Sequence, residues 1–96
     1  MGIREVVSGK REEIHRIAAK HGVRQIRVFG SVARGEAGPQ SDVDFLIEAG
    51  PQHSPFFPGG LVMDLEALLG RRVDVVEADG LYPPLKASVL QEAVPV

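Results

Sequence analysis

Two aspartates, Asp42 and Asp44, lie one residue apart at the head of an apolar run, "DVDFLIE". The run favours a strand over Val43–Glu48, and alternation along a strand would direct both carboxylates to one face and the apolar side chains to the other. Two like charges that close repel each other, and partial burial would raise the pKa of at least one. Oxygen ligands select a hard cation, so the pair predicts a site for Mg²⁺ first and Mn²⁺ second.

A third carboxylate, Asp74, lies between two valines in "RRVDVVEA" (Arg71–Ala78), which is predicted to be another strand. Its side chain would leave the strand on the face opposite to the valines. If this strand pairs beside the Asp42 and Asp44 strand, three carboxylates converge. Such a cluster can hold one or two metal ions, and in two-metal sites ions ~3.5–4 Å apart stabilise the displacement of a phosphoryl oxygen.

A glycine and a serine precede the aspartates. Gly30 would let the backbone approach a ligand closely, and Ser31 is predicted as the N-cap of a short helix reaching Glu36. The N–H groups at a helix start favour phosphate, which makes this turn a candidate phosphate site, although Ser31 as a cap alone remains an alternative. Arg34, one helical turn later, could reach a triphosphate or could simply be exposed or paired with Glu36.

Hydrophobic spacing and turn residues place these candidates within one small domain covering residues 1–96. The predicted elements are an N-terminal helix (3–21), a core of alternating strands and helices (23–78) and a C-terminal helix (83–94), with strands at Val23–Phe29, Val43–Glu48 and Arg71–Ala78 and helices at Ser31–Glu36 and Leu61–Leu69. This order predicts an α/β (α+β) domain in which a small mixed sheet is covered by helices.

Composition limits the classes of partner and of binding site that this chain can have. The net charge of −2 argues against a general nucleic-acid or anionic-membrane surface, and the absence of cysteine excludes disulfides and thiolate metal sites. Without a long apolar stretch or a signal-peptide pattern, we expect a cytoplasmic protein. The three histidines have no ligand spacing and are interpreted as surface residues. Phe56 and Phe57, in a proline-rich loop, are expected to pack or contact a partner rather than stack on a nucleobase.

Together, these residues resemble the sequence signature of a known family. "GSVARGEAGPQSDVDFLI" is similar to the signature of the nucleotidyltransferase superfamily that includes DNA polymerase β, in which glycine–serine is followed after ten residues by aspartate–x–aspartate. The matching positions are Gly30, Ser31, Asp42 and Asp44, with Arg34, Gly35 and Ser41 at accessory positions and Asp74 as the later third carboxylate. The short length resembles the minimal nucleotidyltransferase (MNT) group, commonly encoded beside helical HEPN proteins as the antitoxin of a toxin–antitoxin pair.

The resemblance implies the polymerase β-like fold and a division of roles. Gly30, Ser31, Arg34 and Ser41 would bind the nucleoside triphosphate, Asp42 and Asp44 would bind Mg²⁺, and Asp74 would share a metal and help to activate the attacking hydroxyl. The implied reaction transfers AMP from ATP to a hydroxyl and releases pyrophosphate. The implied acceptor is a tyrosine of a HEPN-type RNase toxin, and the chain could form a homodimer or a hetero-oligomer.

Two rival interpretations remain open from the sequence. The chain could be a binding module that neutralises its toxin by steric contact and retains the site for structure or nucleotide sensing, because 96 residues leave little surface for recognising an acceptor. A weaker alternative is a nucleotidyltransferase that acts on a small molecule or RNA, which would normally need an additional domain or subunit.

Overall fold

The structure, a computed structural model, describes residues 3–38, 41–51 and 57–96. In these residues the elements are the helices α1 (Ile3–Gly9), α2 (Arg11–Lys20), α3 (Gly30–Arg34), α4 (Gly59–Leu69) and α5 (Pro83–Glu92), the strands β1 (Val23–Phe29), β2 (Val43–Ala49), β3 (Val73–Glu77) and β4 (Val94–Pro95), and one 3₁₀ turn (Ala78–Gly80). None of the helices in the described ranges combines the length and the apolar character needed to cross a membrane.

The four strands form one sheet in the order β3-β2-β1-β4. The strand β1 runs antiparallel to both β2 and β4, whereas β2 and β3 are parallel. A parallel pair needs a crossover connection, and here it contains α4. The predicted mixed sheet with helices packed on it is therefore confirmed.

The main core lies between one face of the sheet and helices α2 and α4. Alternate residues of β2 are directed into it and have essentially no exposed surface, with Ile14 of α2 and Leu61 and Leu65 of α4 packed in the same cluster. Leu46 is also buried but lies outside this cluster, because alternation directs it to the other face of the sheet. Both faces of β2 are therefore covered at mid-strand, which makes β2 a rigid platform for the residues at its start.

The prediction of one N-terminal helix over residues 3–21 is wrong, because the helix is interrupted at Lys10. The backbone of Lys10 leaves helical geometry (φ −111°, ψ 22°), and its N–H donates to the carbonyls of Val6 and Val7 at 3.1 and 3.2 Å. Gly9 precedes the break and has a low helix propensity. The interruption allows Val7 of α1 and Ile14 of α2 to be buried in the same core.

The C-terminal helix is predicted two residues too long. It begins at Pro83 and Pro84, where proline is tolerated, but it ends at Glu92. Val94 and Pro95 instead pair with β1 as the edge strand β4. The ladder partner that favours an extended backbone here is about seventy positions away in the chain, so local spacing could not indicate it.

Candidate active site

The two strands that carry the predicted carboxylates are neighbours, as expected, and their register brings Asp44 directly opposite Asp74. On its other side Asp44 is opposite Phe29, the last residue of β1. Asp44 is half-buried and Asp74 is exposed, while Asp42 is exposed just before β2 begins. The structure therefore places these carboxylates at the end of the sheet where β2 and β3 start, which we call the carboxylate edge.

The electrostatics of this edge are unfavourable for ionised carboxylates. Burial raises the pKa of Asp44, and the negative charges of Asp74 and Asp42 raise it further. The guanidinium of Arg34 acts in the opposite direction, and Glu92 adds to the repulsion. The site thus holds more negative charge than its own residues compensate.

Gly30 is required at the start of α3 for two reasons. Its φ of +71° lies in the left-handed region that non-glycine residues rarely adopt. A Cβ at this position would also overlap with Oδ2 of Asp44. The glycine–serine turn and the carboxylate edge are therefore one site, with the backbone of Gly30 packed against Asp44.

The predicted N-cap role of Ser31 is wrong. The helix α3 begins at Gly30 with Phe29 in the cap position, because the left-handed glycine turns the extended strand directly into the helix. Ser31 is half-buried, and its hydroxyl forms no hydrogen bond with the part of the chain that the structure describes. Among the described residues nothing therefore competes with a ligand for this hydroxyl.

Arg34 is held by two carboxylates. Its Nε donates to Oε1 of Glu36 at 2.6 Å, which is the pairing left open by the sequence, and its Nη1 donates to Glu92 of α5. The second carboxylate oxygen of Glu92 accepts the N–H of Gly30 at 3.3 Å. Sequence reasoning missed Glu92, and no local signal could have found it, since it ends a helix without a buried face, 58 positions after Arg34.

Ser41 closes the turn before Asp42. Its hydroxyl accepts the N–H of Gly38 at 2.8 Å, and its own N–H donates to the Gly38 carbonyl at 3.1 Å. Arg71 donates to the carbonyls of Ser41 and Gly38 at 2.8 and 3.3 Å, which ties this turn to the start of β3. The observed contacts give Ser41 a role in positioning Asp42, and a contact with nucleotide remains a prediction.

The donor set suits a hard divalent cation, because the site offers carboxylate oxygens whose mutual repulsion a cation would relieve. Within residues 3–38, 41–51 and 57–96, no group of three or more His, Cys, Asp or Glu side chains could hold a metal ion by itself. Mg²⁺ is usually bound by one or two carboxylates together with substrate phosphates rather than by a complete protein cage. The site therefore fits a cation that binds together with a nucleotide.

The predictions for the histidines and for the two loop phenylalanines have different outcomes. His15 is exposed as expected, but the surface interpretation is wrong for His21, which is 7% exposed and bonded through Nε2 to Oδ2 of Asp64 at 2.7 Å. The carboxylate of Asp64 allows this histidine to be buried. Phe57 packs against the core, whereas the predictions for His53 and Phe56 lie outside the described residues.

Comparison with known proteins identifies a nucleotidyltransferase. A family model described as "Nucleotidyltransferase domain" matches residues 11–96. MJ0435 of Methanocaldococcus jannaschii, provisionally named a protein adenylyltransferase, is 40% identical over 96 residues, which cover 100% of this chain and 99% of the relative. Protein adenylyltransferase MntA of Thermococcus cleftensis is 44% identical over 93 residues, covering 86% of this chain and 92% of the relative.

Solved structures agree with the fold. A structure described provisionally as a minimal nucleotidyltransferase superposes with a TM-score of 0.88 at 43% identity and covers 100% of this chain and 97% of its own. A crystal structure of a toxin–antitoxin with AMP-PNP has a TM-score of 0.74 at 21% identity, covers 88% of this chain and 69% of its own, and supports the fold alone. The chain therefore belongs to the nucleotidyltransferase domain family, as a nucleotidyltransferase of the minimal type with the polymerase β-like fold.

Proposed function

We propose that this protein is a Mg²⁺-dependent adenylyltransferase that transfers AMP from ATP to a partner toxin and thereby acts as an antitoxin. The observation that carries this proposal is the register of Asp44 with Asp74, with the backbone of Gly30 packed against the Asp44 carboxylate. Phosphate-binding backbone and metal-binding carboxylates are needed side by side for nucleotidyl transfer.

The relatives support this choice of substrate. Two relatives that align over 100% and 86% of this chain carry the name protein adenylyltransferase, and a protein of the same fold was crystallised as a toxin–antitoxin with AMP-PNP. We extend these properties to the present chain. The resemblance to the MNT group adds that the partner is a HEPN-type RNase and that the acceptor is a tyrosine hydroxyl.

Each side chain then has a role that its position permits. Asp42 and Asp44 would hold Mg²⁺, which when bound neutralises charge on the phosphates. The half-buried hydroxyl of Ser31, which has no hydrogen bond with the described residues, would bind the triphosphate beside the Gly30 backbone. Asp74 is exposed opposite Asp44, where it can take a proton from an acceptor hydroxyl that approaches from solvent.

In the proposed transfer, bonds and protons change only in ATP, the acceptor hydroxyl and Asp74. The acceptor oxygen forms a bond with the α-phosphorus of ATP, and the bond from that phosphorus to the oxygen bridging to the β-phosphate breaks. Pyrophosphate leaves with that oxygen, and the hydroxyl proton passes to Asp74. The product is an AMP ester of the acceptor hydroxyl.

Incubation with Mg²⁺, each labelled nucleoside triphosphate in turn, and the product of the neighbouring gene would test the proposal. We expect label to be transferred to that partner from ATP in preference to the other nucleotides, and mass spectrometry to locate AMP on a tyrosine. A partner that gains no mass with any nucleotide, under conditions where the two proteins bind each other, would contradict it.

A second function is favoured by the surface of α5. This helix has no buried side chain; its Leu85 is 52% exposed, and Tyr82, the residue just before the helix, is 71% exposed. A surface of this kind can bind a partner without catalysis, which is the steric antitoxin interpretation. Neutralisation of the toxin in cells by the Asp42→Asn protein, in the absence of AMP transfer, would favour steric binding over catalysis.

A further inference from the structure

The carboxylate of Glu92 lies where the proposed function requires an anion of the substrate. It accepts the backbone N–H of Gly30 at 3.3 Å and a guanidinium N–H of Arg34. These donors lie at the phosphate-binding turn. The hydrogen bond from Arg34 lowers the pKa of Glu92, so the group is ionised at neutral pH.

We propose that Glu92 is an internal competitor of the nucleotide: its carboxylate occupies a phosphate position at Gly30 and Arg34, and ATP must displace it in order to bind. This inference rests on the proposed function, because it assigns those donors to the triphosphate. Carboxylate and phosphate oxygens accept the same charge-assisted hydrogen bonds, and a single N–H donor cannot serve both fully at once. Glu92 also adds to the repulsion at Asp44, so its departure from these donors would relieve part of that repulsion.

The attachment of Glu92 makes such a displacement possible at low cost. It is the last residue of α5, a helix that buries no side chain, and its own side chain is 27% exposed. The next element, β4, is tied to β1 through the pairs Val94 with Val28 and Pro95 with Arg27. A movement limited to the end of α5, or to the Glu92 side chain, would therefore clear the donors while β4 keeps its place in the sheet.

Competition by Glu92 and support by Glu92 predict opposite effects of its removal on nucleotide binding. If Glu92 merely held Arg34 in position for the phosphate, its removal would weaken nucleotide binding. If it competes, its removal raises the fraction of molecules whose site is open, and the apparent affinity rises by the same factor.

Calorimetric titration of the full chain with AMP-PNP and Mg²⁺, and separately with inorganic tripolyphosphate and Mg²⁺, tests this directly. In Glu92→Gln we expect the dissociation constants of both ligands to fall, by roughly threefold to tenfold for an exposed but charge-assisted contact. The matched control is Glu12→Gln, which makes the same change in net charge at an exposed carboxylate of α2 that has no hydrogen bond or ion pair with the described residues. Its dissociation constants should equal those of the wild type.

A second variant, Glu92→Asp, keeps the charge but shortens the side chain, and circular dichroism would verify the fold of each protein. Tighter binding by both Glu92 variants supports competition through contact. Unchanged or weaker binding by Glu92→Gln, or tighter binding by Glu92→Gln with Glu92→Asp equal to the wild type, overturns the inference while the proposed function stands. Failure of the wild type and all variants to bind either ligand overturns the proposed function, and the inference with it.

Discussion

Two polar clusters of this domain are built from similar parts and have opposite electrostatics. Between α2 and α4, the buried His21 and the more exposed Lys20 both reach Oδ2 of Asp64, at 2.7 and 3.2 Å. These partners lower the pKa of Asp64, with the hydrogen bond from His21 the largest cause. At the sheet edge, burial and neighbouring carboxylates raise the pKa of Asp44.

A glycine allows close packing in both clusters. A Cβ on Gly60 would lie 2.9 Å from Cε1 of His21, as a Cβ on Gly30 would overlap with Asp44. Close packing therefore does not distinguish the two clusters; compensation of charge does. The cluster in which Lys20 and His21 bond the carboxylate stabilises the fold, whereas the cluster in which neighbouring carboxylates outweigh Arg34 lowers stability and, in the proposed function, is completed by a ligand.

The largest expected effect is that of Asp44→Asn at the uncompensated cluster. We expect AMP transfer to fall by more than about 100-fold, since loss of groups that merely support a metal ligand already costs about 10–100-fold. The melting temperature should rise, because the substitution removes a half-buried charge from beside Asp74 and Asp42. Glu48→Gln, on the same strand and face, is the control and should keep full transfer; a lower melting temperature for Asp44→Asn would contradict the electrostatic account.

At the compensated cluster we expect the reverse result. His21→Ala should leave the carboxylate edge intact but destabilise the domain by about 1–3 kcal/mol, the cost of losing a buried, hydrogen-bonded partner. For a domain of this size that lowers the melting temperature by roughly 5–20 °C. His15→Ala, at an exposed histidine of α2 whose Nε2 hydrogen-bonds the carbonyl of Val96, should lower it much less, and equal shifts for the two variants would show that the buried pair contributes nothing specific.

Two glycines with the same backbone conformation separate strain from site geometry. Gly30 and Gly35 have φ values of +71° and +74°, so alanine at either should cost about 1–2 kcal/mol in left-handed strain. Only at Gly30 would the new Cβ meet the carboxylate of Asp44, whereas nothing lies within 4 Å at Gly35. We therefore expect similar losses in urea stability but a clear loss of AMP transfer in Gly30→Ala alone.

The smallest effect expected is the pH dependence of the two aspartates. Asp44 has a pKa above the ordinary value of 3.8, so the gain in stability from Asp44→Asn should disappear as the pH falls from that raised pKa towards 3.8. Asp64 has a pKa below 3.8, so its stabilising contribution is complete above 3.8 and is lost as the pH falls through the lowered pKa. Urea unfolding of Asp44→Asn, Asp64→Asn and the wild type between about pH 3 and pH 7 would measure both effects. As the pH falls, the stability difference from the wild type should close above pH 3.8 for Asp44→Asn and below pH 3.8 for Asp64→Asn.

Much of the architecture was predictable because strand alternation and helix spacing are local properties. The strands β1 and β2 and the helix α4 begin and end within two residues of their predicted bounds. The approach of Asp74 to Asp44 was expected on the condition that their two strands pair, and the strands do pair, with these two residues in register. Local reasoning failed where a distant partner decides the conformation: Val94 is extended because β1 pairs with it, and His21 is buried because Asp64 accepts its bond.

By itself, the sequence determined which side chains could do chemistry, because residue type and spacing specify the carboxylates, the glycine–serine turn and the strand faces that carry them. Only the tertiary structure decided how their charges are balanced. It brought Arg34 to Glu92 rather than to the carboxylate edge, and Arg71 to the turn before Asp42. Electrostatic compensation depends on distances between elements that are far apart in the chain, and such distances exist only once the elements are packed.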